Sequence, residues 1–179
     1  MRLIIVLLIF GVTGLQAQDI GDIFGGITYT QSSIKDESSN HLGTFKPTVV
    51  GLGLSYVIAD NLALDANMFD GAADSSVVKP RLGTVTVKVK NGYTLGVRPF
   101  MAFNESWGGY IKLGRQYGTQ TTVIRKPMDT TYAHTVYGLG VSYNLNSKWG
   151  VSAESVWSKK VSSENNSTST VGMGIRYKF

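Results

Sequence analysis

Large apolar side chains recur at every second position along most of this chain. In the last nine residues Val171, Met173, Ile175, Tyr177 and Phe179 alternate with Gly172, Gly174, Arg176 and Lys178. Val50, Leu52, Leu54, Tyr56 and Ile58 alternate with Gly51, Gly53, Ser55 and Val57, and Tyr137, Leu139, Val141, Tyr143 and Leu145 with Gly138, Gly140, Ser142 and Asn144. Tyr93, Leu95, Val97, Pro99 and Met101 form a fourth series, and Leu62, Leu64, Ala66 and Met68 a fifth. A period of two is the signature of a strand with one apolar face and one small or polar face. Capped runs of period 3.6 are absent, and 21 glycines are spread through the segments, so helices are not expected.

The connections sort by length. Ala59-Asp60-Asn61, Asn104-Glu105-Ser106 and Asn146-Ser147-Lys148 read as tight polar turns. Between them lie longer polar stretches at 32–47, 71–82, 118–131 and 161–168, each expected to be a loop. Eight strands fit, at about 21–31, 48–58, 61–70, 83–103, 107–117, 132–145, 149–160 and 168–179. A soluble sandwich also alternates but has no reason to sort its connections, whereas a transmembrane barrel joins an even number of strands by short periplasmic turns and long external loops. The pattern therefore predicts an all-β, eight-stranded antiparallel up-and-down transmembrane barrel. Asn91-Gly92 is a hairpin signal inside the fourth strand. Because Val85, Val87 and Val89 share the odd parity of Tyr93, Leu95 and Val97, the expectation is one long strand with a single outward face.

Ten apolar residues, Leu3 to Val12, follow Arg2 and precede Gly14-Leu-Gln-Ala17. This is the layout of a secretory signal peptide, too short to span a bilayer as a helix. Residues 1–17 are thus the predicted signal and 18–179 the barrel domain. No cysteine is present, which excludes disulfides and a lipid-modified cysteine. Of the 17 basic residues only Arg2 falls in the leader, leaving 16 against 12 acids, a mild excess of +4 suited to anionic lipid headgroups and not to nucleic acid. Tyr56, Phe103, Trp107, Tyr143 and Trp149, with Tyr177 and Phe179, fall at the short-turn ends of strands, as an interfacial aromatic belt requires. Tyr29, Tyr93, Tyr117, Tyr132 and Trp157 are candidates for a second belt.

The same parity turns Asp65, Arg98, Lys112, Glu154 and Arg176 toward the lumen. Together the five define a candidate interior charge network, and the first four lie about five to six residues above their short turns, at similar depth. Eight strands leave a bore just wide enough for side chains to fill. Such a network either packs the lumen as a polar core or gates a narrow water path, with Asp65 and Arg98 as the expected ion pair. Glycines 51, 53, 138 and 140 make room inside.

With strands and ends placed, the chain resembles the small outer-membrane barrels of Gram-negative bacteria: the transmembrane domain of outer membrane protein A, and the outer membrane protein X and opacity-protein types. Gly174-x-x-Tyr177-x-Phe179 is similar to the family's C-terminal signal, which implies delivery by the barrel assembly machinery to the cell outer membrane. Asn61-Leu-Ala-Leu-Asp65 and Gly150-Val-Ser-Ala-Glu154 look like the family's strands with an inward acid. The resemblance implies contact with outer-membrane lipid and lipopolysaccharide and an external ligand taken by the loops. No peptidoglycan-binding domain follows, so a cell-wall tether is not expected. The expected role is a structural and surface-interaction scaffold; the alternatives are a narrow porin-like channel and a lipid A-modifying enzyme. His41 sits in a polar loop and His134 faces the lumen, away from lipid, so no catalytic residue is assigned. No cofactor or metal site is assigned either.

Overall fold

The computed structural model describes residues 18–36, 43–80, 82–160 and 166–179. The predicted leader, His41 and the centre of the last loop lie outside them. Ten strands follow in order: β1 (Ile23–Asp36), β2 (Gly43–Phe45), β3 (Thr48–Ala59), β4 (Leu62–Ala73), β5 (Ser75–Lys79), β6 (Gly83–Ala102), β7 (Trp107–Val123), β8 (Pro127–Asn144), β9 (Trp149–Lys160) and β10 (Asn166–Lys178). Eight of them are staves of a closed antiparallel barrel in the order β10-β9-β8-β7-β6-β4-β3-β1, with β1 and β10 paired from Phe24↔Lys178 to Asp36↔Asn166. Closure leaves the staves no free edge within the membrane, where an unpaired backbone group has no water to turn to.

Short turns close one end. In two of them an asparagine builds the turn: Asn104 Oδ1 accepts from the amides of Ser106 and Trp107, and Asn146 Oδ1 from those of Lys148 and Trp149. In the third, Asn61 takes the left-handed backbone (φ 65°) that asparagine tolerates.

The opposite end departs from expectation. Two of the predicted loops hold strands: β2 lies within 32–47 and pairs with β1, and β5 lies within 71–82 and pairs with β6. The stretch 118–131 is mostly strand, since β7 and β8 stay paired out to Val123↔Pro127. Polar composition misled there because these strands stand in water on their outer side.

Parity within β6 is also corrected. It is one strand from Gly83 to Ala102, and Asn91-Gly92 makes no hairpin turn. Its outward face is not single, however. Against β7, Val89 pairs with Gln120 and Gly92 with Gly118, so Lys90 and Asn91 oppose one residue. This bulge flips the side-chain phase. Tyr93 and Leu95 are 45% and 53% exposed on the barrel exterior, while Val85, Val87 and Val89, of the same parity, are 0%, 3% and 9% exposed inside.

The bulge separates two storeys. Below it Val50, Leu52, Met68, Leu95, Leu113, Leu139 and Met173 point outward and are exposed. Above it Ile34, Phe45, Val49, Phe69 and the three β6 valines form a buried apolar cluster joined by Val77. The outer face of this upper storey is polar: Ser76 bonds Thr86, Lys88 pairs with Asp74, and Lys90 with Asp129. Hydrogen bonds from Lys90 and then Thr121 hold the Asp129 carboxyl below the usual aspartate range. The lower storey is built for lipid and the upper one for water.

Candidate functional site

The lumen of the lower storey holds the charged groups. Arg98 Nη2 lies 3.4 Å from Asp65 Oδ1, both side chains about an eighth exposed, and Ser55 Oγ donates to the same carboxylate oxygen. The register explains the pairing: on adjacent β4 and β6, Ala63 faces Arg98 and Asp65 faces Gly96, so the pair meets on the diagonal. Lys112 Nζ lies 3.3 Å from Glu154 Oε1, and the Tyr110 hydroxyl donates to Glu154 Oε2 at 3.2 Å. These partners sit on β7 and β9 with β8 between them. Glycines 138 and 140 face Lys112 and Tyr110 from β8, and a Cβ at Gly140 would run into the Tyr110 ring. The lumen glycines are therefore what lets two side chains reach across a strand.

Arg176, grouped with this network from its parity, meets none of its acids. It donates from Nη2 to Asn144 Oδ1 at 2.6 Å and stacks over Phe24, 5.4 Å from the ring centroid. Its strand position explains this: Arg176 pairs with Gly150, four residues nearer the short turns than Glu154. Sequence reading missed Tyr110, whose even parity on β7 matches Lys112 and could have placed it inside. It also missed Ser158, whose Oγ lies 3.3 Å from His134 Nδ1 across the β8–β9 pair and facing the lumen.

Two small cavities, about 70 and 60 Å³, share Lys112 and Glu154 as lining. The first reaches Asp65, Arg98 and Arg176; the second reaches Thr94, Gln116 and Val136 beneath the apolar roof. At the turn end Phe24, Val57 and Ala63 form a second buried apolar cluster against Phe100. Among the described residues no group of acids and histidines could hold a metal ion.

The aromatic residues form contacts on the exterior. Near the short turns Trp107 packs on Tyr143 (4.9 Å), Trp149 on Tyr177 (4.9 Å) and Tyr177 on Phe179 (5.3 Å), with exposed Tyr56 and Phe103 at the same level. Toward the other end Tyr93 stacks on Tyr117 and Tyr137 on Trp157, with Tyr29 exposed beside them. Tyr132 does not belong to that row. It turns inward, its ring on His134 and its hydroxyl accepting from Gln116, because its even parity on β8 is that of the buried Val136. From Trp107 to Tyr117 is ten residues, which at about 3.4 Å each and a tilt of about 40° spans about 26 Å, the height of an outer-membrane apolar band.

A double-mutant cycle on Asp65→Asn and Arg98→Gln tests whether the inner pair is energetically coupled. The expected coupling is about 1–3 kcal/mol in unfolding free energy; additive effects would show that the two groups stand together without depending on each other.

A closed antiparallel barrel with an apolar outer band, two aromatic rows and a charged interior defines an integral outer-membrane β-barrel. The chain belongs to the outer membrane protein beta-barrel domain family, whose pattern residues 3–179 match. Among solved structures it is similar to Ail, the attachment invasion locus protein of Yersinia pestis, at 19% identity and a TM-score of 0.63 over 89% of this chain and 99% of that one. Neisserial surface protein A is similar at 13% identity and 0.66, over 88% and 97%. OprG of Pseudomonas aeruginosa is similar at 19% and 0.63, over 92% and 99%. A search of curated proteins finds no match.

Proposed function

We propose that the protein is a closed scaffold of the Gram-negative outer membrane whose upper storey is a surface-interaction platform. The observation that carries this reading is the contrast between the two ends. The lumen is occupied by ion pairs and bounded by apolar clusters, whereas the upper storey has its own dry core and a charged, water-facing exterior. Burying seven large apolar side chains outside the membrane has no bearing on spanning it, and a loop-based anchor would not need it. Strands β5 to β8 end in edges without a partner among the described residues, at β5 and at 127–133 of β8, and such edges offer backbone groups to an added strand. A barrel of this fold, Ail, has been captured with the heparin analogue sucrose octasulfate, so an external ligand is compatible with the architecture.

In this reading residues 1–17 direct export, and Gly174, Tyr177 and Phe179 present the assembly signal to the barrel assembly machinery. The aromatic rows hold the barrel between lipid and lipopolysaccharide headgroups. Catalysis is not part of it: the Ser158–His134 pair faces the lumen, while acyl chains lie on the other side of the wall. The runner-up is a narrow channel in which the inner pairs exchange partners. Planar-bilayer recording of the refolded chain separates the two. Folded protein, verified by heat-shifted gel mobility, is expected to give no unitary steps. Reproducible steps altered by Asp65→Asn or Arg98→Ala would transfer the function to the lumen.

A further inference from the structure

Among the described residues the bore and its short-turn mouth hold four cations, Arg98, Lys112, Arg176 and Lys178, but three acids, and each acid is taken: Asp65 by Arg98, Glu154 by Lys112 and Asp22 by Lys178. Arg176 is the remainder. Among the described residues no carboxylate lies within ion-pair distance of it, and one of its five N–H donors is used by Asn144. The guanidinium lines a cavity of about 330 Å³ at the short-turn end of the bore and an adjoining one of about 210 Å³. Arg98 and the Tyr110 ring line the larger, and Asn144 and Gln18 line both. Arg98 stacks over Tyr110 at 5.2 Å, which orients a second guanidinium at the top of the same space. Asp60 stands at the rim, on the turn, with no ion pair to either arginine.

A cation drawn partly out of water and left without a counter-charge is costly, and proteins keep one where an anion answers it. The planar fork of arginine matches the oxygens of phosphate and carboxylate. A second feature narrows the ligand further: Gln18 Oε1 is buried beside this cavity and has no hydrogen-bond donor. An oxyanion that also carries a hydroxyl satisfies both demands, its charged oxygens on Arg176 and its O–H on Gln18 once that amide turns toward the cavity.

We propose that the periplasmic mouth of the barrel is a binding site for a small hydroxyl-bearing oxyanion, of the hydrogen phosphate class, held by Arg176 with Arg98 behind it. The site goes beyond the scaffold reading and is independent of whatever the upper storey recognises. It gives the underside of the barrel a chemistry of its own.

The test uses the chain from Gln18 to Phe179, refolded in detergent and checked by heat-shifted mobility. Inorganic phosphate is titrated calorimetrically at neutral pH, with ionic strength fixed by chloride. One saturable site per chain is expected, with sulfate, which has no O–H at that pH, bound more weakly. Arg176→Gln is expected to weaken phosphate binding about tenfold or more, and Lys126→Gln, on the far side of the molecule, to leave it unchanged. Gln18→Ala is expected to erase the preference for phosphate over sulfate. Absence of saturable phosphate binding to the wild-type chain would overturn the proposal without any variant. So would Arg176→Gln binding as tightly as wild type. If that variant does not fold, Arg176→Lys replaces it, and undiminished affinity there, with the fork gone, would overturn the arginine's role.

Discussion

Deletion of Asn91 is expected to unfold the upper storey while leaving the membrane barrel intact. With one residue removed, Lys90 alone opposes Thr119 and the β6–β7 ladder runs without a bulge. Every side chain from Gly83 to Val89 then changes face. Val85, Val87 and Val89 leave the cluster they share with Phe45 and Phe69, at about 1.5–3 kcal/mol each. Lys88 loses Asp74 and enters an apolar interior, which adds the cost of a buried unpaired charge. The measurement is limited proteolysis of protein in liposomes. New cleavage is expected between residues 70 and 91, with heat-shifted mobility retained. Asn91→Ser, which preserves the residue count, is expected to stay protected. Full protection of the deletion variant would mean that strand phase does not hold this storey together.

Glu154→Ala is expected to be the most damaging single substitution in the lumen. It strips the counter-charge from Lys112 and the acceptor from Tyr110 at once, and among the described residues neither has another acid in reach. Breaking one partner of a buried pair costs about 3–5 kcal/mol where the site is dry. The combination Lys112→Met with Glu154→Gln leaves no charge unpaired and is expected to recover most of that loss. Urea unfolding of refolded protein in lipid vesicles, followed by tryptophan fluorescence, gives both numbers. A Glu154→Ala variant within about 0.5 kcal/mol of wild type would mean that water fills the bore well enough to solvate Lys112 alone.

The sequence carries the lower storey almost completely, because the bilayer enforces a strict rule there. Apolar residues must point out and small or polar ones in, so a period of two by itself places Asp65, Arg98, Lys112 and Glu154 inside. The same rule failed for Tyr132 because aromatic identity was given more weight than the parity of Val136. It failed for Arg176 because parity fixes the face of a strand and not the depth at which partners meet. The upper storey was illegible for a different reason. Its strands are polar on the outside, as loops are, and the bulge at Lys90–Asn91 reverses the rule without any change in the alternation itself. Val85 and Leu95 have the same parity and opposite destinations, and local pattern alone holds no information to tell them apart.

That reversal also fixes how deep the barrel sits. A uniform barrel could slide along the membrane normal by a residue or two, trading one exposed apolar ring for another at small cost. Here the face of β6 that must meet hydrocarbon ends at Tyr93, and the face that must meet water begins at Lys90, three residues away. Sinking the barrel would press Lys88 and Lys90 into acyl chains; raising it would lift Tyr93 and Leu95 into the aqueous phase. The extra residue therefore works as a depth stop, and a bilayer of different thickness must adjust at the short-turn end, where the Trp107 and Trp149 rings can follow the surface.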